Sequence, residues 1–298
     1  MTVRGLPAEF VRYPTADGLM LHGLLWEPAE SSPIAVVYVP GFGGGFAGPS
    51  DIGSFAACLT RAGCNMLAIN TRAVSPTGMV FARFEDCIAD IDAALAFLRN
   101  RGMSSIVLVG DSLGACRVAY YLANNAAEDV AGAVFLGGIV SPYAEAQMRW
   151  NDADRARFDA FLEAARSRIA DGFGKEVVSF PWGGGRPLTV SAETLVNVFG
   201  APGDGNTHLP SHAGSVRVPA LVLHGSRDAV SLPENASQIW EALAEAPSRE
   251  LIMVDADHFF MSQADARAYA DILVEWLGGL PAHRAACENR SAKLGTTA

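Results

Sequence analysis

The chain has 298 residues, half of them hydrophobic and 18% charged, so it can bury a sizeable core; disordered tails and disulfide-stapled miniproteins are excluded. Its 22 Lys+Arg against 32 Asp+Glu leave a net charge of -10, which repels phosphate backbones and speaks against nucleic-acid or anionic-membrane partners. Five cysteines without CxxC spacing (Cys58, Cys64, Cys87, Cys116, Cys287) fit reduced thiols better than a disulfide framework. The start MTVRGLPAEF lacks an apolar signal core, and no apolar run approaches the roughly 20 residues needed to span a bilayer. The expectation is a cytoplasmic protein without a membrane span.

In chain order, Phe10 to Tyr13 and Leu19 to Trp26 flank the turn signal Ala16-Asp17-Gly18 and predict an antiparallel hairpin at one sheet edge. Short β-branched or apolar runs then recur at Ile34 to Val39, Cys64 to Ile69, Ser105 to Val109, Val130 to Leu136, Ala220 to Leu223 and Leu251 to Val254, each the length of a buried parallel strand. Between them, Phe84, Ile88, Ile91, Leu95 and Leu98 share one helical face, with Asp86 and Asp90 on the wet side. Ala115 to Asn124 reads as another helical stretch. Ser231 and Glu234 have capping-box spacing ahead of Ala236, Ile239, Trp240 and Leu243, and a last helix through Tyr269, Leu273 and Trp276 stops at Gly278-Gly279. The pattern predicts an α/β fold: a mostly parallel twisted sheet with helices on both faces.

The alternation breaks between Ser141 and Val218. Asp152 to Ala170 reads as an amphipathic helix and Ser191 to Gly200 as a short one, set among Gly- and Pro-rich loops such as Pro181-Trp182-Gly183-Gly184-Gly185. An insertion between parallel strands is expected to fold over their carboxyl ends, where such sheets bind ligands. The division is therefore a core of residues 1–140 and 218–281, a helical lid of 141–217 and a flexible tail of 282–298. The lid aromatics Tyr143, Trp150, Phe158, Phe161, Trp182 and Phe199 suggest an apolar pocket, with Phe158 and Phe161 assigned by their spacing to the lid's own core.

The strongest chemical signal is Ser105-Ile-Val-Leu-Val-Gly110-Asp111-Ser112-Leu113-Gly114 ahead of a helix, the strand, G-x-S-x-G and helix order of a nucleophile elbow. Ser112 needs a base and the base an orienting acid. His258, in the loop after the strand Leu251 to Val254, is the candidate base, and Asp228, after Ala220 to Leu223, the candidate acid. Asp255 and Asp257 compete with it by proximity in sequence. The turn Val39-Pro40-Gly41-Phe42-Gly43-Gly44-Gly45 can aim the N–H of Phe42 at the serine, where with the N–H of Leu113 it would make a two-donor oxyanion hole.

Two other patterns are weaker. Gly43-x-Gly45-x-x-Gly48 formally matches a dinucleotide fingerprint, but Pro49 follows it and Asn70 stands where a ribose-binding acid is needed. His208 and His212 have metal-pair spacing, but Pro210 lies between them and no HExxH accompanies them. No metal and no cofactor is expected.

Together the hairpin start, the Gly-rich turn, the elbow, Asp228 and His258 resemble the α/β-hydrolase fold family over Phe10 to Leu280. The resemblance implies Ser112 as nucleophile, His258 as base, Asp228 as acid, and Phe42 and Leu113 as oxyanion donors. Pro40 stands where many members carry His, a change that backbone donors do not feel. Serine at the elbow, in place of Asp, speaks against haloalkane dehalogenases and epoxide hydrolases. The string Gly110 to Leu113 is also similar to GDSL-type lipases, whose acid lies three residues before the base, as Asp255 does before His258. The expected activity is hydrolysis of small, apolar carboxylic esters, lactones or thioesters through an acyl-enzyme. The alternatives are an acyltransferase or thioesterase with the same triad, and a non-catalytic ligand-binding protein.

Overall fold

A computed structural model describes residues 6–48, 50–125, 128–182, 186–281 and 283. The tail reading beyond residue 281 therefore falls, His283 apart, outside the described residues, as do Pro49, Cys287 and Gly183 to Gly185. The chain opens with the hairpin β1 (Glu9–Pro14) and β2 (Met20–Trp26). Strand and helix then alternate through β3 (Ile34–Val39), α1 (Ile52–Arg61), β4 (Asn65–Ile69), α2 (Pro76–Phe81), α3 (Cys87–Asn100), β5 (Ser105–Asp111), α4 (Leu113–Asn124) and β6 (Val130–Leu136). The segment after β6 forms α5 (Pro142–Arg149), α6 (Asp152–Ala170), the hairpin β7 (Val177–Trp182) and β8 (Arg186–Ser191), α7 (Ala192–Phe199) and α8 (Pro210–Ala213). The alternation closes with β9 (Ala220–Gly225), α9 (Glu234–Ala242), β10 (Arg249–Val254) and α10 (Gln263–Gly279).

Among the described residues the main sheet has eight strands in the order β1-β2-β4-β3-β5-β6-β9-β10. The pairings β1–β2 and β2–β4 are antiparallel and the other five parallel, so the opening hairpin sits at one edge as its turn signal predicts. Because side chains alternate along a strand, β3 sends Val37 and Val39 into one core and Val36 and Tyr38 into the other. The first core is closed by α3, α4 and α9 through Leu95, Val118 and Ile239. The second is closed by α1 and α10 through Phe55, Tyr269 and Trp276.

The segment between β6 and β9 has its own cluster, in which Phe158 and Leu162 of α6 meet Phe180, Val190, Leu195 and Phe199. Here the structure adds what the Gly- and Pro-rich composition conceals: the β7–β8 hairpin, in register from Val177 opposite Ser191 to Trp182 opposite Arg186. Strand pairing outweighs the poor strand propensity of Pro181 and Pro187, which face each other in this two-stranded ribbon.

Two local expectations are corrected. Asp90 is buried, because Arg72 covers that face of α3 and binds its carboxylate through both the backbone N–H and Nε at 2.9 Å. Ser231 does not cap a helix. Helix α9 begins at Glu234, and the buried Ser231 hydroxyl instead donates to the Gly138 carbonyl at 2.7 Å.

Candidate active site

Ser112 occupies the turn between β5 and α4 with φ 55° and ψ −118°, a backbone conformation that costs a non-glycine residue on the order of 1–3 kcal/mol. The glycines on either side make the turn possible by close approach. A Cβ on Gly110 would collide with the Gly114 backbone, and one on Gly114 with the Val39 carbonyl. The Ser112 N–H donates to the Leu136 carbonyl at 2.9 Å, tying the turn to β6. Ser112 is the residue before Leu113, the first residue of α4, whose own N–H has no acceptor within the helix.

His258 and Asp228 come from the loops after β10 and β9 and are both buried. Nδ1 of His258 donates to Oδ2 of Asp228 at 2.7 Å. The other carboxylate oxygen accepts the N–H groups of Val230 and Ser231, each at 2.8 Å, so the acid is fixed from both ends. His224 lies on the far side, with Nε2 3.7 Å from Oδ2 and bonded to the Ser231 carbonyl at 3.0 Å. With Nδ1 engaged, Nε2 of His258 is the nitrogen left to exchange a proton in the pocket that His258 and Ser112 line together.

The competing acids are elsewhere. Asp255 is exposed and paired with Arg227 at 2.6 Å. Asp257 has a buried Oδ1 without a partner among the described residues and is not bonded to His258. His208 and His212 turn to separate partners, Ser211 Oγ at 2.7 Å and the Asn206 carbonyl at 2.9 Å.

The glycine-rich turn after β3 packs on the serine. A Cβ on Gly41 would stand 2.9 Å from Ser112 Cβ and 3.0 Å from the Asp111 carbonyl, so only glycine lets the strand end approach this closely. Phe42 and Leu113 both line the pocket, and the exposed Phe42 ring meets Phe199 edge-on at 5.8 Å. After Gly48, α1 does not begin until Ile52, so the glycines do not feed a helix directly as a dinucleotide loop would.

The cavity holds about 370 Å³. Its wall is largely apolar, with Ile52, Leu113, Ile139, Trp182, Phe199 and Val230 among the lining residues. Of the six aromatics singled out in the inserted segment, Trp182 and Phe199 reach this cavity, while Phe158 is buried in the segment's own core and Phe161 packs on it, as their spacing requires.

Two acidic residues also stand in the wall. Asp111, next to the serine, accepts a 2.6 Å bond from the Tyr38 hydroxyl, and burial pushes its carboxyl up to about 6. Glu145 of α5 is buried, accepts from Asn235, and has an Oε2 without a partner among the described residues. Burial pushes it up to about 7, against the pull of Asn235. Burial favours the neutral form of His258, but the hydrogen bond and charge of Asp228, aided by the charges of Asp111 and Glu145, prevail and raise its pKa. Asp111 was within reach of sequence reasoning as the variable residue of G-x-S-x-G; Glu145 carried no sequence signal.

This architecture and strand order define the α/β-hydrolase fold. Solved structures agree: the esterase domain of a Rhodothermus marinus protein superposes with a TM-score of 0.62 at 18% identity, covering 92% of this chain and 99% of that one. The Pyrococcus furiosus esterase Pf2001 gives 0.63 at 18%, covering 92% of each. The α/β hydrolase GrgF of Penicillium sp. sh18 gives 0.70 at 15%, covering 93% and 100%. The sequence profile of a family described as "Protein of unknown function (DUF1749)" matches residues 26–243, and the chain belongs to that family. The comparison with curated proteins finds no match.

Proposed function

We propose that this protein is a serine hydrolase of carboxylic esters or related lactones and thioesters. The observation that carries the reading is Ser112, strained at an elbow in the same pocket as His258, whose Nδ1 is 2.7 Å from the buried Asp228 carboxylate. In this mechanism Nε2 of His258 takes the hydroxyl proton and the Ser112 oxygen attacks the ester carbonyl. The N–H groups of Phe42 and Leu113 hold the oxyanion; the intermediate collapses, and the proton on His258 goes to the leaving alcohol. Water, deprotonated by the same imidazole, then releases the acid and restores the serine. Asp228 holds the imidazole in its working tautomer and stabilises its charged form. No step requires a metal or cofactor.

Residues 141–217 serve as a lid over a core of 1–140 and 218–281, a reading supported by Pro142, Glu145, Arg149, Trp182 and Phe199, which line the same cavity as the serine. The cavity's size and apolar wall favour a small substrate with an aliphatic or aromatic group. The esterase names of the Rhodothermus and Pyrococcus structures support the reaction class. Cys58, Cys87 and Cys116 are buried thiols, in keeping with a cytoplasmic setting.

A fluorophosphonate probe tests the reading at its centre. The expected result is stoichiometric labelling that peptide mapping places on Ser112, with loss of ester turnover in step. Labelling elsewhere, or none, would support a binding protein on this fold, and faster product formation with alcohol or amine acceptors than with water would support an acyltransferase.

A further inference from the structure

The oxyanion turn is held from behind by a buried cation. Arg117 is 7% exposed, and its Nη1 donates to two successive carbonyls of the turn, those of Pro40 and Gly41, the latter at 2.8 Å. The Gly41 carbonyl also accepts the Gly44 N–H at 3.0 Å, so its direction is fixed twice. The peptide joining Gly41 to Phe42 is trans, as are all those in the described structure. In a trans peptide the C=O and the following N–H point in opposite directions. A Gly41 carbonyl drawn toward Arg117 therefore turns the Phe42 N–H to the other face of the turn. Gly41 itself packs on Ser112, with its Cβ position 3.4 Å from Ser112 Oγ.

Arg117 lies on α4, four residues and about one helical turn beyond Leu113. We infer that Arg117 is the positioning residue of the oxyanion hole: helix α4 supplies one donor directly, the Leu113 N–H, and through Arg117 orients the other, the Phe42 N–H. This rests on the serine-hydrolase reading above. An arginine suits the task because Nη1 carries two N–H donors, one for each carbonyl oxygen; burial works against the guanidinium charge and lowers its pKa, and the Asp90 carboxylate opposes that pull. A hydrophobic residue there would fill the space but leave the Pro40 carbonyl without its buried donor and the Gly41 carbonyl with the Gly44 N–H alone.

The experiment compares wild type, Arg117→Met and Arg117→Lys by steady-state ester hydrolysis per site titrated with fluorophosphonate. It adds inhibition by an alkyl trifluoromethyl ketone, whose adduct with Ser112 needs the oxyanion hole, and thermal melting. Arg117→Met should lose about 10²-fold in kcat, the lower range for losing one oxyanion donor, with KM within about twofold and ketone affinity falling in step with kcat/KM. Arg117→Lys, a point-like donor, should fall between. It carries the test if the Met variant does not fold. A folded variant of either kind with a lowered melting temperature but wild-type kcat and ketone affinity would overturn the inference and leave Arg117 a structural residue. Absence of Ser112-dependent turnover in the wild type would instead overturn the hydrolase reading, and this inference with it.

Discussion

At the scale of single residues, the geometry ranks the acids around His258. Asp228 holds Nδ1 at 2.7 Å, whereas Asp255 is exposed and bound to Arg227. Asp228→Asn should therefore cost about 10⁴ in kcat, through loss of the working tautomer, and Asp255→Asn should stay within about threefold of wild type. The reverse ranking would move the site to the GDSL-like arrangement. The acidic surroundings also set the pH dependence. His258 must be neutral to act as base, so activity falls as pH drops through its pKa, which lies above the ordinary histidine value. Glu145→Gln removes a charge that helps to raise it, and the acidic limb of kcat/KM should move to lower pH. The same substitution tests linkage. A carboxyl raised from 4.5 to about 7 binds more protons folded than unfolded between those values, so its contribution to stability is lost as pH rises across them. The melting-temperature advantage of Glu145→Gln over wild type should grow from pH 5 to pH 8; a constant difference would place Glu145 in a better-solvated setting than its burial implies.

At the scale of elements, the site depends on how closely β3, β5 and α4 approach. Gly110 and Gly114 leave no room for a methyl group against backbone atoms that cannot swing aside. Gly114→Ala should lower stability by about 3 kcal/mol, at the severe end of overpacking, measured by urea denaturation. An unchanged midpoint would mean the elbow is looser than described. These elements were legible because their signals are local: β-branched runs of strand length, and glycines bracketing a serine between strand and helix. What was not legible depends on partners distant in sequence. Asp90 reads as solvent-facing by helical period, and only Arg72, brought over it by the segment after β4, makes it internal. The β7–β8 hairpin hides in a Pro- and Gly-rich stretch because a ribbon's pairing partner is not a property of either strand alone. Arg117 looked like any charged position of α4 until the β3 turn folded onto it.

At the scale of the whole molecule, β5, β9 and β10 are parallel strands of one sheet, and so bring Ser112, Asp228 and His258 to the same edge from 146 residues of separation. Sequence order and strand lengths conveyed that convergence; the shape of the cavity, which would set substrate preference, is encoded by no motif. Trp182 and Phe199 form part of its wall, stacked edge to face at 4.8 Å. Trp182→Ala should widen the cavity and shift the preferred acyl length upward without abolishing turnover, read from kcat/KM across chain lengths. The central claim is Ser112-dependent ester cleavage, and the most direct measurement is hydrolysis of p-nitrophenyl esters from acetate to palmitate by wild type beside Ser112→Ala. The account predicts turnover by the wild type, greatest for the shorter esters that a 370 Å³ cavity can hold, and a loss of about 10⁶-fold in kcat for Ser112→Ala. No turnover by the wild type, or turnover that survives in Ser112→Ala, would contradict it.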